Sequence, residues 1–297
     1  MSDQPADAVG WGPDGIVTAE SGRVAFWRGD KPDRSVAFDA NTWGWPKNIV
    51  ALADGSVGVA AARFDRAGAL VGDPKALADA MVAGLTGRTS AGSGYRVRTA
   101  SWDADGERVW VGVEQRPRRG STAPMPEPRY RDLLLDGSFA LVADASADEA
   151  VAWQHIVVAG GTAATAGGPR SIWKAGTATR TASLSGAPGA LAVSADGQTV
   201  VTADGSTVHT HAADGPERAR WDAGEVLGLA ASSRGTWVAT GSNDHVRLWR
   251  VDGASARLAA EVAVTGIASA LAFSPDDQRL VIGAAPRAVV VLAIEAR

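Results

Sequence analysis

The chain has no cysteine. It forms no disulfide and offers no thiolate to a metal, which fits a reducing compartment. No stretch approaches the roughly 18 continuous apolar residues of a membrane-spanning helix. The opening Met1-Ser2-Asp3-Gln4-Pro5 lacks the basic and apolar regions of a secretory signal. A soluble, cytoplasmic protein is the expectation. There is no excess of positive charge either. The net charge is −4, which argues against a general nucleic-acid surface. Phe and Tyr are scarce, at 5 and 2, so Trp 11 and Gly 35 stand out. Many glycines imply many turns, and many tryptophans without other aromatics imply one position used repeatedly. Hydrophobic residues at 45% supply an ample core.

The repetition is visible as a phrase: an apolar strand, Pro/Ala-Asp-Gly, a second strand. It occurs over residues 8–18 with Pro13-Asp14-Gly15, 48–59 with Ala53-Asp54-Gly55, 98–111 with Ala104-Asp105-Gly106, and 190–202 with Ala195-Asp196-Gly197. Residues 227–240 carry Ser233-Arg234-Gly235, residues 271–283 carry Pro275-Asp276-Asp277, and a weaker copy lies at 150–160. With Gly15 and Asp277 as equivalent ends of six steps, the period is about 44 residues, near the ~40–45 of a propeller blade. Asp-Gly between alternating strands is a strong hairpin signal, because the tight turn needs positive φ. Small sheets cannot bury both faces alone, and stacking them radially solves this. The expectation is an all-β, seven-bladed β-propeller of four-stranded antiparallel blades. It forms one domain over residues 1–297, with blades starting near 8, 48, 97, 150, 190, 226 and 270.

Residues 239–251 sharpen this reading. A strand over 237–240 runs into Gly241-Ser242-Asn243-Asp244, and a second alternating strand follows over 246–249. The stretch resembles the closing half of a WD40 repeat, with the family's Asp at Asp244 and its Trp at Trp249. The Trp position is matched again at Trp27 and Trp173, while blade 5 has His211 and blade 7 has Val291. No Gly-His dipeptide occurs, so the family's Asp–His–Ser–Trp hydrogen-bond network does not carry over whole. The resemblance implies a degenerate WD40-like propeller acting as a non-enzymatic protein- or peptide-binding scaffold, with no cofactor. The family usually closes its ring by lending an N-terminal strand to the last blade. Here the last blade ends with its third strand over 289–294, and only residues 1–7 precede the first. Closure is therefore short, or the last blade has three strands and an open edge.

In an antiparallel meander of strands a to d, the b–c and d–a connections leave one end of each blade. The a–b and c–d connections leave the other. Four long interruptions share the b–c/d–a face: residues 41–47; 73–94, with a short helix over 76–85; a b–c loop at 115–129; and a Gly/Ala/Thr b–c loop at 160–169. Long loops in a compact repeat often carry function. Insertion is also cheap, each doubling of a loop costing only about 0.6 kcal/mol. The candidate partner-binding residues are Trp43, Trp45, Arg116, Arg118, Arg119, Arg129 and Tyr130. Aromatics bury large area at small entropic cost, and guanidinium groups suit carboxylates or phosphates. The plainer alternatives are tryptophans packed on a neighbouring blade and a solvated loop balanced by Glu114, Glu127 and Asp132. An acidic peptide suits an acidic protein of this kind better than nucleic acid does.

Other motifs weigh little. His209 and His211 share one face of a strand, but two ligands do not make a metal site. Gly10-Trp11-Gly12-Pro13-Asp14-Gly15 matches G-x-G-x-x-G, yet a β segment follows where a helix should begin, so it reads as a hairpin. There is no Walker loop, His-Glu-x-x-His or Gly-x-Ser-x-Gly. No catalytic residue or metal ligand is nominated. The alternative function is a propeller-framed hydrolase or lactonase with a metal at the central channel, which would need acids or histidines converging from several blades.

Overall fold

The computed structural model describes residues 6–20, 22–29, 31–83, 93–117, 130–145, 155–166, 171–184, 189–284 and 288–294. These residues form seven antiparallel meanders arranged as a ring, the seven-bladed β-propeller expected from the repeat. The innermost strands, in order, are Ala8–Gly12, Ile49–Ala51, Ser93–Trp102, His155–Ala159, Ala190–Val193, Gly228–Ala231 and Ala268–Phe273. Each touches the next, and the first meets the last, which closes the ring. At that junction the Trp11 indole N–H donates to the Ala272 carbonyl at 3.2 Å, and Val9, Ile16, Ala270 and Val281 form a shared core. Among the described residues blade 7 has three strands and the other six have four.

The a–b turns obey their sequence. Gly55, Gly106, Gly197 and Gly235 all take positive φ there, between 68° and 82°. In blade 7 Asp277 occupies that position at φ 57°, a left-handed conformation that costs a side-chain-bearing residue energy. Its carboxylate is held by the Ser233 N–H at 2.8 Å and by the Ser233 hydroxyl, which ties blade 7 to blade 6. In blade 4 the turn is Gly160-Gly161, joining inner strand His155–Ala159 to strand b, Thr162–Ala166. This corrects the expected b–c loop at 160–169. Every residue of Thr162–Ala166 is buried: Ala163 packs in the core toward blade 3, and Ala164 and Ala166 in the core toward blade 5.

A recurring staple spans strands b and c. The indole N–H of Trp27 donates to Thr18 at 2.9 Å, that of Trp249 to Thr240 at 3.0 Å, and that of Trp173 to Thr165 at 3.4 Å. In blade 5 His211 faces Thr202 at 3.4 Å in the same register. In each case the ring lies two residues beyond the threonine's cross-strand neighbour. In blade 7 that register position is Leu292 rather than Val291, since Ile282 pairs with Val290.

Two further boundaries differ from expectation. The helix α2 spans Pro74–Ala83, two residues earlier than expected. The Asp73 carboxylate accepts the Lys75 N–H at 2.8 Å, a side-chain cap that starts the helix at Pro74. Its Leu77, Ala80 and Met81 are buried in the core shared by blades 1–3. In blade 3, residues Gln115–Pro117 belong to strand b, Arg108–Pro117, and pair with Ser93–Tyr95 of strand a. They are not loop, because the two strands extend together past the rest of the blade.

Candidate functional site

The inner strands enclose a central cavity of about 800 Å³. Its lining is mostly Ala, Gly, Val and Leu, and the two ends differ. At one end the a–b turns are knitted together: Ala53 N–H donates to the Ala104 carbonyl at 2.8 Å and Asp196 N–H to the Ser233 carbonyl at 3.0 Å. At the other end, residues just before the inner strands form the mouth. Asp7, Lys47, Asn48 and Leu227 line it, with Trp45 above and Arg98 and His155 beside them.

The sequence candidates separate at this point. Trp43 closes the short helix α1, Ala40–Trp43, and is only 3% exposed. It packs on Phe139 at 6.1 Å between ring centroids and belongs to the blade 1–3 core, so it serves packing as the plainer alternative held. Trp45, two residues on, is 38% exposed at the mouth, with the Arg96 guanidinium 5.9 Å from its ring centroid. Arg116 lies in strand b of blade 3, opposite Gly94. Arg118, Arg119 and Arg129 lie outside the described residues. Tyr130 is half-buried and pairs with Glu114.

Charges near blade 3 are mostly matched. Arg98 meets Glu114 at 3.5 Å, and buried Arg131 meets Asp144 at 3.3 Å. Asp132 is buried at the seam with blade 4, and burial pushes its carboxyl well above the usual range. His155, at the mouth, is driven down to about 4 by burial and by the neighbouring Lys47 charge. On the far rim, Asp244 meets His245 at 2.6 Å, Asn243 donates to Glu225 at 2.6 Å, and Arg247 meets Glu261 at 2.5 Å. Hydrogen bonding from His245 holds Asp244 below the usual carboxylate range. His209 and His211 stack at 6.1 Å, and His209 meets Glu217 at 3.0 Å. Among the described residues no three His, Asp or Glu side chains converge as a metal-ligand group.

The residues that sequence reasoning missed are Lys47, Asn48, His155, Leu227 and Ile267. Leu227 and Ile267 are 38% and 44% exposed on the far side from Trp45. Each of the five sits at or just before the start of an inner strand. Applying the repeat period to that position, rather than to the turns alone, would have picked them out.

The family model for "WD domain, G-beta repeat" matches residues 220–250, which run from the outer strand of blade 5 into strand c of blade 6. No curated protein matches the chain. Solved structures do match over nearly its full length. A chain of the mitotic checkpoint complex is 17% identical, with 97% of this chain and 87% of that chain covered and a TM-score of 0.67. The RRP9 WD40 repeats are 13% identical, covering 96% and 88%, with a TM-score of 0.68. U3-55K is 12% identical, covering 96% and 90%, with a TM-score of 0.68. At such identities the likeness speaks for the fold.

Proposed function

Taking the chain as a WD40-like β-propeller, we propose that it is a non-enzymatic scaffold docking a protein or peptide on the face of d–a and b–c connections, chiefly over blades 1–4. One observation carries this reading. Trp45, from the connection between blades 1 and 2, stands exposed at the mouth of the central cavity, with Leu227 of blade 6 exposed on its far lip. Large apolar side chains grouped on a surface mark interaction sites, and aromatic anchors dominate their energetics. The sequence around Arg116, with Arg118, Arg119 and Arg129 outside the described residues, is rich in positive charge, which favours a partner with an acidic patch. That the similar folds include a chain of a mitotic checkpoint complex agrees with a protein partner. The absence of cysteine agrees with a cytoplasmic setting.

The test begins with a pull-down from the native host, followed by binding of the captured partner to the immobilised protein. Trp45→Ala should weaken binding by roughly 2 kcal/mol or more, the scale of an interface anchor. Replacing Arg116, Arg118 and Arg119 together with Ser should slow association, with a smaller effect at high salt. The control belongs on exposed a–b turn residues whose side chains hold no turn together: Glu107, Arg234 and Gln278, each changed to Ser. Binding sensitive to that control but indifferent to Trp45 and the arginines would overturn the assignment of the face.

A further inference from the structure

Resting on that docking reading, we propose that the channel mouth between blades 2 and 4 is a seat for a carboxylate of an acidic peptide, with Lys47 and His155 as its two donors. His155 opens the inner strand of blade 4, and His155, Val157 and Ala159 all line the cavity. A ring N–H of His155 donates to the backbone carbonyl of Lys47. The other ring nitrogen, Nε2, is shut off from bulk solvent and has no partner among the described residues. A buried polar atom in that state is uncommon and points to a missing partner. Lys47 is exposed at the same mouth, and its ammonium makes no ion pair among the described residues.

The backbone segments that carry the two donors are tied together. Asn48, next to Lys47, donates through Nδ2 to Ser101 Oγ at 2.7 Å and to the Ile156 carbonyl at 3.3 Å. Ser101 Oγ accepts the Val158 N–H at 3.1 Å. One asparagine thus ties the start of blade 2 to blades 3 and 4 across the channel. A seat built on inner strands and locked by such bonds is organised before the ligand arrives.

The charged groups that line the cavity around this mouth can be named from each side. Lys47 comes from the blade 1–2 connection. Arg98 comes from blade 3 with Glu114 as its counter-ion at 3.5 Å. Asp7 comes from the approach to blade 1. The cavity-lining residues 189–193, 227–231 and 269–273 of blades 5–7 contribute no ionisable side chain. Lys47 therefore favours an anion at this mouth.

The chemistry has a signature. With one ring nitrogen donating to Lys47, a neutral His155 leaves a lone pair on the enclosed Nε2, which repels a carboxylate brought against it. Seating therefore takes one proton from solvent onto Nε2, which then donates to the carboxylate oxygen while the Lys47 ammonium holds the other. The anion also offsets the Lys47 charge that keeps His155 neutral. Affinity should fall as pH rises, by up to about tenfold per pH unit between the free and the bound pKa of His155.

The probe is a capped hepta-glutamate peptide, with capped hepta-glutamine as control. It is titrated against the full chain while the four histidine ring resonances are followed by NMR between pH 5 and 8. The glutamate peptide should shift the His155 signal saturably, raise its titration midpoint, and bind at least about tenfold more tightly at pH 5.5 than at 7.5. Lys47→Gln should abolish the shift. His155→Gln should leave weak binding that no longer depends on pH, with its melting midpoint checked to confirm folding. An unmoved His155 signal at millimolar peptide, or equal shifts from both peptides, would overturn the seat. Movement of the Trp45 indole signal without His155 would also overturn the seat while leaving the docking face intact. A titrating His155 in a protein whose captured partner ignores Trp45→Ala would keep the seat and remove the broader docking reading.

Discussion

Blade 6 and blade 3 hold the same four-stranded meander together with different chemistry. In blade 6, Trp249 packs on Trp221 of blade 5 at 5.9 Å between ring centroids, and its indole N–H is satisfied by Thr240 at 3.0 Å. The same register positions in blade 3 are Val111 and Leu135, both with 0% exposure. Blade 3 places its tryptophans elsewhere. Trp102 packs on Phe139 at 6.0 Å and donates to the Ala62 carbonyl at 3.2 Å, while Trp110 packs on Trp173 at 5.9 Å. Burial of apolar volume between blades is what the two have in common. The threonine–tryptophan bond is a local reinforcement. The family match at residues 220–250 covers the blade 6 copy of it, while blades 1 and 4 carry the same bond outside that match.

The comparison can be broken most sharply at the large rings. Trp102→Ala empties a site that is only 1% exposed and should cost about 3–5 kcal/mol in denaturant unfolding. Trp249→Ala should cost about 3 kcal/mol, toward the lower end, because that ring lies nearer the surface. If Trp249→Ala proved the more damaging, the polar staple would outrank apolar burial.

Exchanging the staple's chemistry should give a smaller effect. Thr240→Val leaves the indole N–H of Trp249 without its acceptor and should cost about 1–2 kcal/mol. Val111→Thr buries a hydroxyl with no indole opposite and should cost about 1–3 kcal/mol. Thermal unfolding of both variants checks this. A neutral Val111→Thr would show that blade 3 has polar partners to spare at that depth.

The last contrast appears with pH. Blade 6 carries its ion pairs on the surface, whereas the seam of blades 3 and 4 encloses titratable groups. His155 has its folded value lowered to about 4, from an ordinary 6.5. The unfolded chain therefore binds the proton first, and stability falls as pH drops through the window from 6.5 toward 4. Asp132 has its value raised by burial, so its contribution is complete below the ordinary 3.8 and is lost as pH rises through the raised value. His155→Gln should flatten the acid slope of the unfolding midpoint, and Asp132→Asn should flatten the slope on its higher-pH side. Unchanged slopes in both variants would mean that neither group differs between folded and unfolded chains.

Much of the fold was legible because its signals are local. An Asp-Gly turn between alternating strands needs nothing distant to form, and a period of about 44 residues counts blades directly. The blade 4 turn escaped because Gly160-Gly161 lacks the Asp and is followed by Thr and Ala, which read as loop until seen filling an interblade gap. Half of the tryptophan reading was legible as well. Trp43 and Trp45 are separated by a single residue, and no local pattern says that one faces Phe139 and the other the open mouth.

The sequence by itself determined the number of blades and the turn at the base of most of them. Each follows from strand alternation and backbone preference, which act over a few residues. Only the tertiary structure decided which side chains share the channel mouth. Lys47 and His155 are brought together by closing a ring, through a bond from Asn48 to Ile156 that spans 108 positions of chain. Contacts of that kind depend on how far each blade rotates from the last, and that angle is set by the summed packing of every interblade core.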